Sequence, residues 1–130
     1  MKESILKSKS FTLAVRIVKL YKYLCEQKTE YVLSKQVLRS GTAVGAMVRE
    51  AAYSESKADF AHKMGIARKE LNAALYWLEL LLQTEYITQT EYDSLISRCY
   101  RNHQNAYHKH QNCKKYKRLV TRHLSLVTGH

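Results

Sequence analysis

The residue types best able to do chemistry crowd one short C-terminal segment, where His103, His108, His110 and Cys113 stand close together. Imidazole and thiolate bind zinc, and metal sites do gather such ligands within short stretches. The intervals between these four match no standard ligand set, so they read as a His-rich tract, and neither a metal nor another cofactor is expected. A second set lies upstream. Lys57, Lys63, Arg68 and Lys69 could contact phosphates of a nucleic acid, provided that the fold gathers them on one exposed surface. They are interspersed with Arg39, Arg49, Glu50, Asp59 and Glu70, and a mixed-sign set of this kind is more simply a salt-bridged face. The chain has no glycine-rich phosphate loop, no nucleophile elbow and no Cys-x-x-Cys pair. It nominates no catalytic residue, and an enzyme is not expected.

The elements that would carry these residues are helices. Proline is absent and glycine occurs four times in 130 residues, so the two commonest helix breakers are nearly missing. A first stripe, Phe11, Ala14, Val15, Val18, Tyr21, Leu24 and Cys25, has the three-and-four spacing of a helix with one buried face and predicts helix one over 8–27. The stripe Leu33, Val37, Ser40, Val44, Met47, Val48 and Ala51 predicts helix two over 31–53. Ser56 and Asp59 form a capping signature ahead of Phe60, Met64, Ala67, Leu71, Ala74, Leu75, Leu78, Leu81 and Leu82, which predicts helix three over 57–83. Thr88 and Glu91 repeat that signature and open helix four, whose stripe Tyr92, Leu95, Ile96 and Cys99 then fails after Tyr100. Gly41 and Gly45 lie four apart on helix two, where each costs about 1 kcal/mol relative to alanine. They are read as the floor of a groove over which another helix or subunit approaches closely. Tyr76 and Trp77 are read as core and interface anchors rather than base-stacking platforms.

Charge is unevenly placed. Residues 1–100 hold 15 Lys/Arg against 11 Asp/Glu, a net of +4, whereas residues 101–130 hold 7 Lys/Arg and no acid. The three cysteines are scattered and odd in number, which argues for free thiols, and no stretch is apolar enough for a membrane span. A cytoplasmic protein is expected.

Several blocks in order carry a resemblance: Leu38-Arg39-Ser40-Gly41-Thr42 with Gly45, then Arg49-Glu50-Ala51, Ser56-Lys57, Asp59-Phe60, Lys63, Ile66-Ala67, Lys69-Glu70 and Tyr76-Trp77-Leu78. Together they resemble the bacterial four helix bundle protein family, also called the ribosomal-RNA intervening-sequence protein family, over about residues 8–100. The resemblance implies an all-α, antiparallel up-and-down four-helix bundle that assembles into a homo-oligomer, a pentamer, without enzymatic activity. Some members are encoded inside intervening sequences of large-subunit ribosomal RNA genes. Related proteins are accessory variability determinants beside the reverse transcriptase of diversity-generating retroelements. The partners implied are therefore other copies of the chain, RNA or DNA, and a reverse transcriptase. A scaffold that contacts protein alone is the competing expectation.

The chain leaves the family pattern after Tyr100. Permitted codons for the residues from Arg101 to Cys113, regrouped by one nucleotide, encode EIIKMLTTSIKTV, which restores an aliphatic stripe. Residues 1–100 are thus expected to form the bundle domain, and 101–130 a basic, His-rich, frame-shifted tail in the position of the rest of helix four.

Overall fold

Four helices follow one another: α1 (Lys2–Lys28), α2 (Leu33–Ala51), α3 (Lys57–Gln83) and α4 (Gln89–Lys109). The computed structural model describes residues 2–109, with side chains described over 5–99. Connections of four or five residues turn each helix back along its predecessor. The helices pack as α1 with α2, α2 with α3, α3 with α4, and α4 with α1. The result is an all-α, antiparallel up-and-down bundle in which α1 and α3 stand on one diagonal and run in the same direction. Helix α4 continues past the expected break at Tyr100 to Lys109. Residues 110–130, most of the tail read as frame-shifted, lie outside the described residues.

Local chemistry sets where the helices begin. Asp59 N donates to Ser56 Oγ at 3.0 Å, and Glu55 N to Asp59 Oδ2 at 3.3 Å, so α3 opens on a side-chain cap. At α4, Thr88 N donates to Glu91 Oε1 at 3.0 Å and Glu91 N returns a bond to Thr88 Oγ1 at 3.2 Å, a reciprocal capping box. Helix α2 starts differently. The Glu30 carboxylate accepts from Val32 N (3.0 Å), Leu33 N (2.8 Å) and Ser34 N (2.7 Å) while the side chain is almost fully buried. Burial by itself would raise this carboxyl, but the three N–H donors, with the Ser34 side chain, outweigh it and hold Glu30 below the ordinary carboxylate range.

The main core joins Leu13, Ile17, Leu20 and Leu24 of α1 to Val37 and Val44 of α2, Leu71, Leu75, Leu78 and Leu81 of α3, and Tyr92, Leu95, Ile96 and Cys99 of α4. A smaller cluster of Leu6, Val48, Ala51, Met64 and Ala67 closes the end nearest the α2–α3 turn. The stripes expected on α2 and α3 face the core, although Leu33, Met47, Phe60 and Leu82 are only partly buried and Ser34 and Gly41 are buried beside the α2 stripe. The stripe expected on α1 does not. Of its seven residues only Leu24 is buried, and Phe11, Val15 and Val18 are exposed. Helix α1 carries a second stripe, Leu6, Ser10, Leu13, Ile17, Leu20 and Leu24, at the same spacing, and that longer aliphatic face wins the core. Leu13→Ala should therefore cost about 2–5 kcal/mol of stability. Val15→Ala, assayed by denaturant melting at a dilution where the chain is monomeric, should cost under about 1 kcal/mol.

Candidate interaction surfaces

The four cations read as phosphate ligands all lie on α3, where Lys57 and Arg68, three turns apart, share a face within about 20° while the other two point elsewhere. Lys57, Lys63 and Lys69 are spaced by six residues, so each points roughly a third of a turn away from the last. Lys63 leans toward α2, where its Nζ meets Glu50 Oε2 at 3.3 Å. Arg68 is half-buried, and Lys57 and Lys69 are exposed. No single phosphate-binding face results. On the neighbouring helix Arg39 reaches Glu70 at 3.7 Å, so part of the mixed-sign set ties α2 to α3.

Gly41 and Gly45 face α1 of the same chain. A Cβ at Gly41 would come within 2.8 Å of Ile17 Cγ1, and one at Gly45 would stand 3.5 Å from the Ser10 carbonyl oxygen. The close approach thus lies inside the bundle, which removes the glycine groove from the surface offered to other subunits. Trp77 packs partly buried against the main core, and the Tyr76 ring meets it edge-on at 5.0 Å while remaining exposed.

Two surface features have no counterpart among the sequence expectations. The outward face of α1 presents Phe11, Val15 and Val18 at 53%, 38% and 36% exposure, an apolar ridge of three residues at heptad-like spacing. The guanidinium of Arg49 lies over the Phe11 ring at 5.2 Å from its centre. Charge is also polarised between helices. Residues 2–28 hold 7 Lys/Arg against 2 Glu, while residues 70–97 hold 5 acids, Glu70, Glu79, Glu85, Glu91 and Asp93, and no Lys or Arg. Counting charge in windows of one helix rather than over the whole body would have found this.

The described residues contain no group of three His, Cys, Asp or Glu placed to hold a metal. His103, His108, His110 and Cys113 lie outside the residues whose side chains are described. Burial pushes the Cys99 thiol up to about 12, leaving it a core residue without nucleophilic character at neutral pH. Among the described residues no helix is long and apolar enough to cross a membrane.

These features define a helical bundle whose distinctive surfaces are an apolar ridge and a charge gradient. The chain belongs to the 23S rRNA-intervening sequence protein family, whose model matches residues 2–108. The match runs past Tyr100, as does α4. A crystal structure of a protein of unknown function from the S23 ribosomal protein family of Bacteroides thetaiotaomicron is similar, with 49% identity and a TM-score of 0.80. The similarity covers 82% of this chain and 95% of that one. Among curated proteins none matches.

Proposed function

We propose that this protein works by assembly and contact rather than by catalysis, as a homo-oligomeric helical scaffold that also holds nucleic acid or an enzyme acting on it, such as a reverse transcriptase. The observation that carries the reading is the exposed ridge of Phe11, Val15 and Val18: a helix that is apolar on both faces is one that a further apolar surface covers. Self-association supplies that surface and repeats the positive charge of each subunit around the assembly. Residues 1–100 alone carry a net of +4 from 15 Lys/Arg and 11 Asp/Glu, and the whole chain +11. The family's description ties its members to 23S rRNA intervening sequences, which favours RNA as the nucleic acid. Contact is expected to be weak, independent of sequence and electrostatic.

The test is a fluorescence titration of duplex RNA at 50 and 200 mM salt. Roughly three to six phosphate contacts would lower affinity by about 40- to 2000-fold across that range. The same titration on a chain whose 7 Lys/Arg of residues 101–130 are replaced by glutamine separates bundle from tail. Binding that vanishes with the tail charges would remove the bundle as the binding element. No binding at either salt concentration would leave the purely protein-binding scaffold.

A further inference from the structure

We infer that the end of the bundle at the α2–α3 turn is its nucleic-acid pole, where Tyr53 stacks on an unpaired base of an RNA strand whose phosphates lie on Lys7, Arg49 and Lys57. The inference rests on the nucleic-acid contact proposed above and names where it occurs and which form of RNA it selects. Three observations carry it. The first is charge along the bundle axis. Three contacts set the level of each helix against the others: Arg49 lies over Phe11, Arg16 Nη1 donates to Ser94 Oγ at 3.1 Å, and Leu6 shares a core cluster with Met64 and Ala67. Divided at mid-height on that register, the half with the α2–α3 turn comprises residues 2–14, 43–73 and 97–109 and holds 11 Lys/Arg against 5 Asp/Glu, a net of +6. The other half, residues 15–42 and 74–96, holds 6 Lys/Arg and 6 Asp/Glu and is neutral. One end of the bundle thus carries its whole net charge. Residues 110–130, with 5 further Lys/Arg and no acid, follow on from the helix that finishes at that end. A polyanion is drawn to such an end.

The second observation is Tyr53 itself. It sits in the turn with 85% of its surface exposed, more than any other large apolar or aromatic side chain among the described residues. The turn does not need the ring. Its backbone is tied by Tyr53 N donating to Glu50 O at 3.0 Å and Ser54 N to Ala51 O at 3.1 Å, and Ser56 caps the helix that follows. An open aromatic face on a fixed base is a stacking platform, and it accepts only a base whose own faces are uncovered, as in a single strand, loop or bulge. The third observation is the cations around the ring, which come from three segments rather than from α3 alone. Arg49 lies four residues before Tyr53 and Lys57 four after it. Lys7, one turn before Phe11, is brought level with Tyr53 by the contact of Arg49 with Phe11. All three are exposed. Of the nearby acids, Glu50 meets Lys63 Nζ at 3.3 Å and Asp59 Oδ2 accepts from Glu55 N, whereas the exposed Glu55 carboxylate opposes a phosphate strand. Tyr76, also exposed, stands in the stretch from 70 to 97 that holds no Lys or Arg, so it lacks the phosphate partners that Tyr53 has.

Fluorescence anisotropy on the full chain tests the pole, with a labelled single-stranded RNA of about 12 nucleotides and the same strand in a duplex as probes. Tyr53→Ala should weaken binding of the single strand by about 5- to 150-fold, the worth of one stacked base, and change duplex binding little. Tyr53→Phe keeps the ring and should bind as the parent does. Lys7→Gln with Lys57→Gln should reduce the slope of log affinity against log salt by about 1.4, roughly 0.7 for each lost phosphate contact. Lys22→Gln with Lys35→Gln removes the same charge from the neutral half and should leave that slope unchanged, while Glu55→Gln should tighten binding. All these side chains are exposed, so each variant should keep the helical spectrum and melting of the parent. A Tyr53→Ala chain that binds the single strand as the parent does, or equal slopes for the two lysine pairs, would overturn the pole while leaving nucleic-acid contact standing. A Tyr53→Phe chain as weak as Tyr53→Ala would overturn the stacking role. If Tyr53→Ala instead lowers the sedimenting mass, the turn contacts protein and the assignment to RNA is wrong. A parent chain that binds neither probe would overturn both readings.

Discussion

Gly41→Leu is expected to be the most damaging single substitution on α2, at roughly 3 kcal/mol or more, while Gly45→Ala, one turn away, is expected to stabilise by up to about 1 kcal/mol. A single Cβ at Gly41 would already meet Ile17 at 2.8 Å for Cγ1 and 3.0 Å for Cγ2. Ile17 is fully buried and branched next to its backbone, so it has no room to yield. The further carbons of leucine must push α1 off α2, at a cost at or above the roughly 1–3 kcal/mol of ordinary overpacking. At Gly45 the nearest atom to an added Cβ is the Ser10 carbonyl oxygen at 3.5 Å, an ordinary contact. The gain there is the helix propensity of alanine over glycine, about 1 kcal/mol. Urea melts of the two variants check the contrast. Equal effects would mean that the glycines serve something other than the α1–α2 approach.

Removing the Glu30 carboxylate should cost about 2–3 kcal/mol at neutral pH, since Glu30→Ala leaves three N–H groups of the first turn of α2 without their acceptor. The effect depends on pH with a definite sign. The folded carboxyl lies below its unfolded value of about 4.3, so its stabilisation is fully present above that pH and is lost as pH falls through the folded value. The gap in stability between the protein and its Glu30→Gln variant should therefore be widest near pH 7 and shrink below about pH 4. A gap of constant size from pH 7 to 3 would show that the carboxylate charge contributes nothing at this helix start.

How far the sequence could be read depended on how many faces each helix offers. Helices α2 and α3 have one apolar stripe each, and most of the expected residues are buried, with Leu33, Met47, Phe60 and Leu82 partly so. Helix α1 has two. Spacing cannot rank two faces of the same period: one holds Phe11, Val15 and Val18, while the buried one holds the straight aliphatic series Leu13, Ile17, Leu20 and Leu24. Leucine and isoleucine fill an interior at helical spacing more readily than the mixed aromatic set, and that weighting is present in the residue types themselves. The interval of six residues between Lys57, Lys63 and Lys69 likewise excludes a common face on helical geometry alone. The helix ends were less legible. Thr29 and Glu85 adopt left-handed backbone after α1 and α3, at φ of 49° and 66°, where glycine is the usual signal. Nothing in the residues around Glu30 marks it as buried, because its role depends on the turn that Thr29 makes. Self-association was expected from the Gly41/Gly45 groove, but α1 of the same chain fills that groove, and the surface left over is on α1 itself.

Sedimentation equilibrium of the full chain at tens of micromolar tests the assembly most directly. The expected result is a single species whose mass is an integral multiple of 15.2 kDa, at least two, and which persists at high salt, since its apolar centre is not screened. A helical sample that sediments as a 15.2 kDa monomer at that concentration would contradict it.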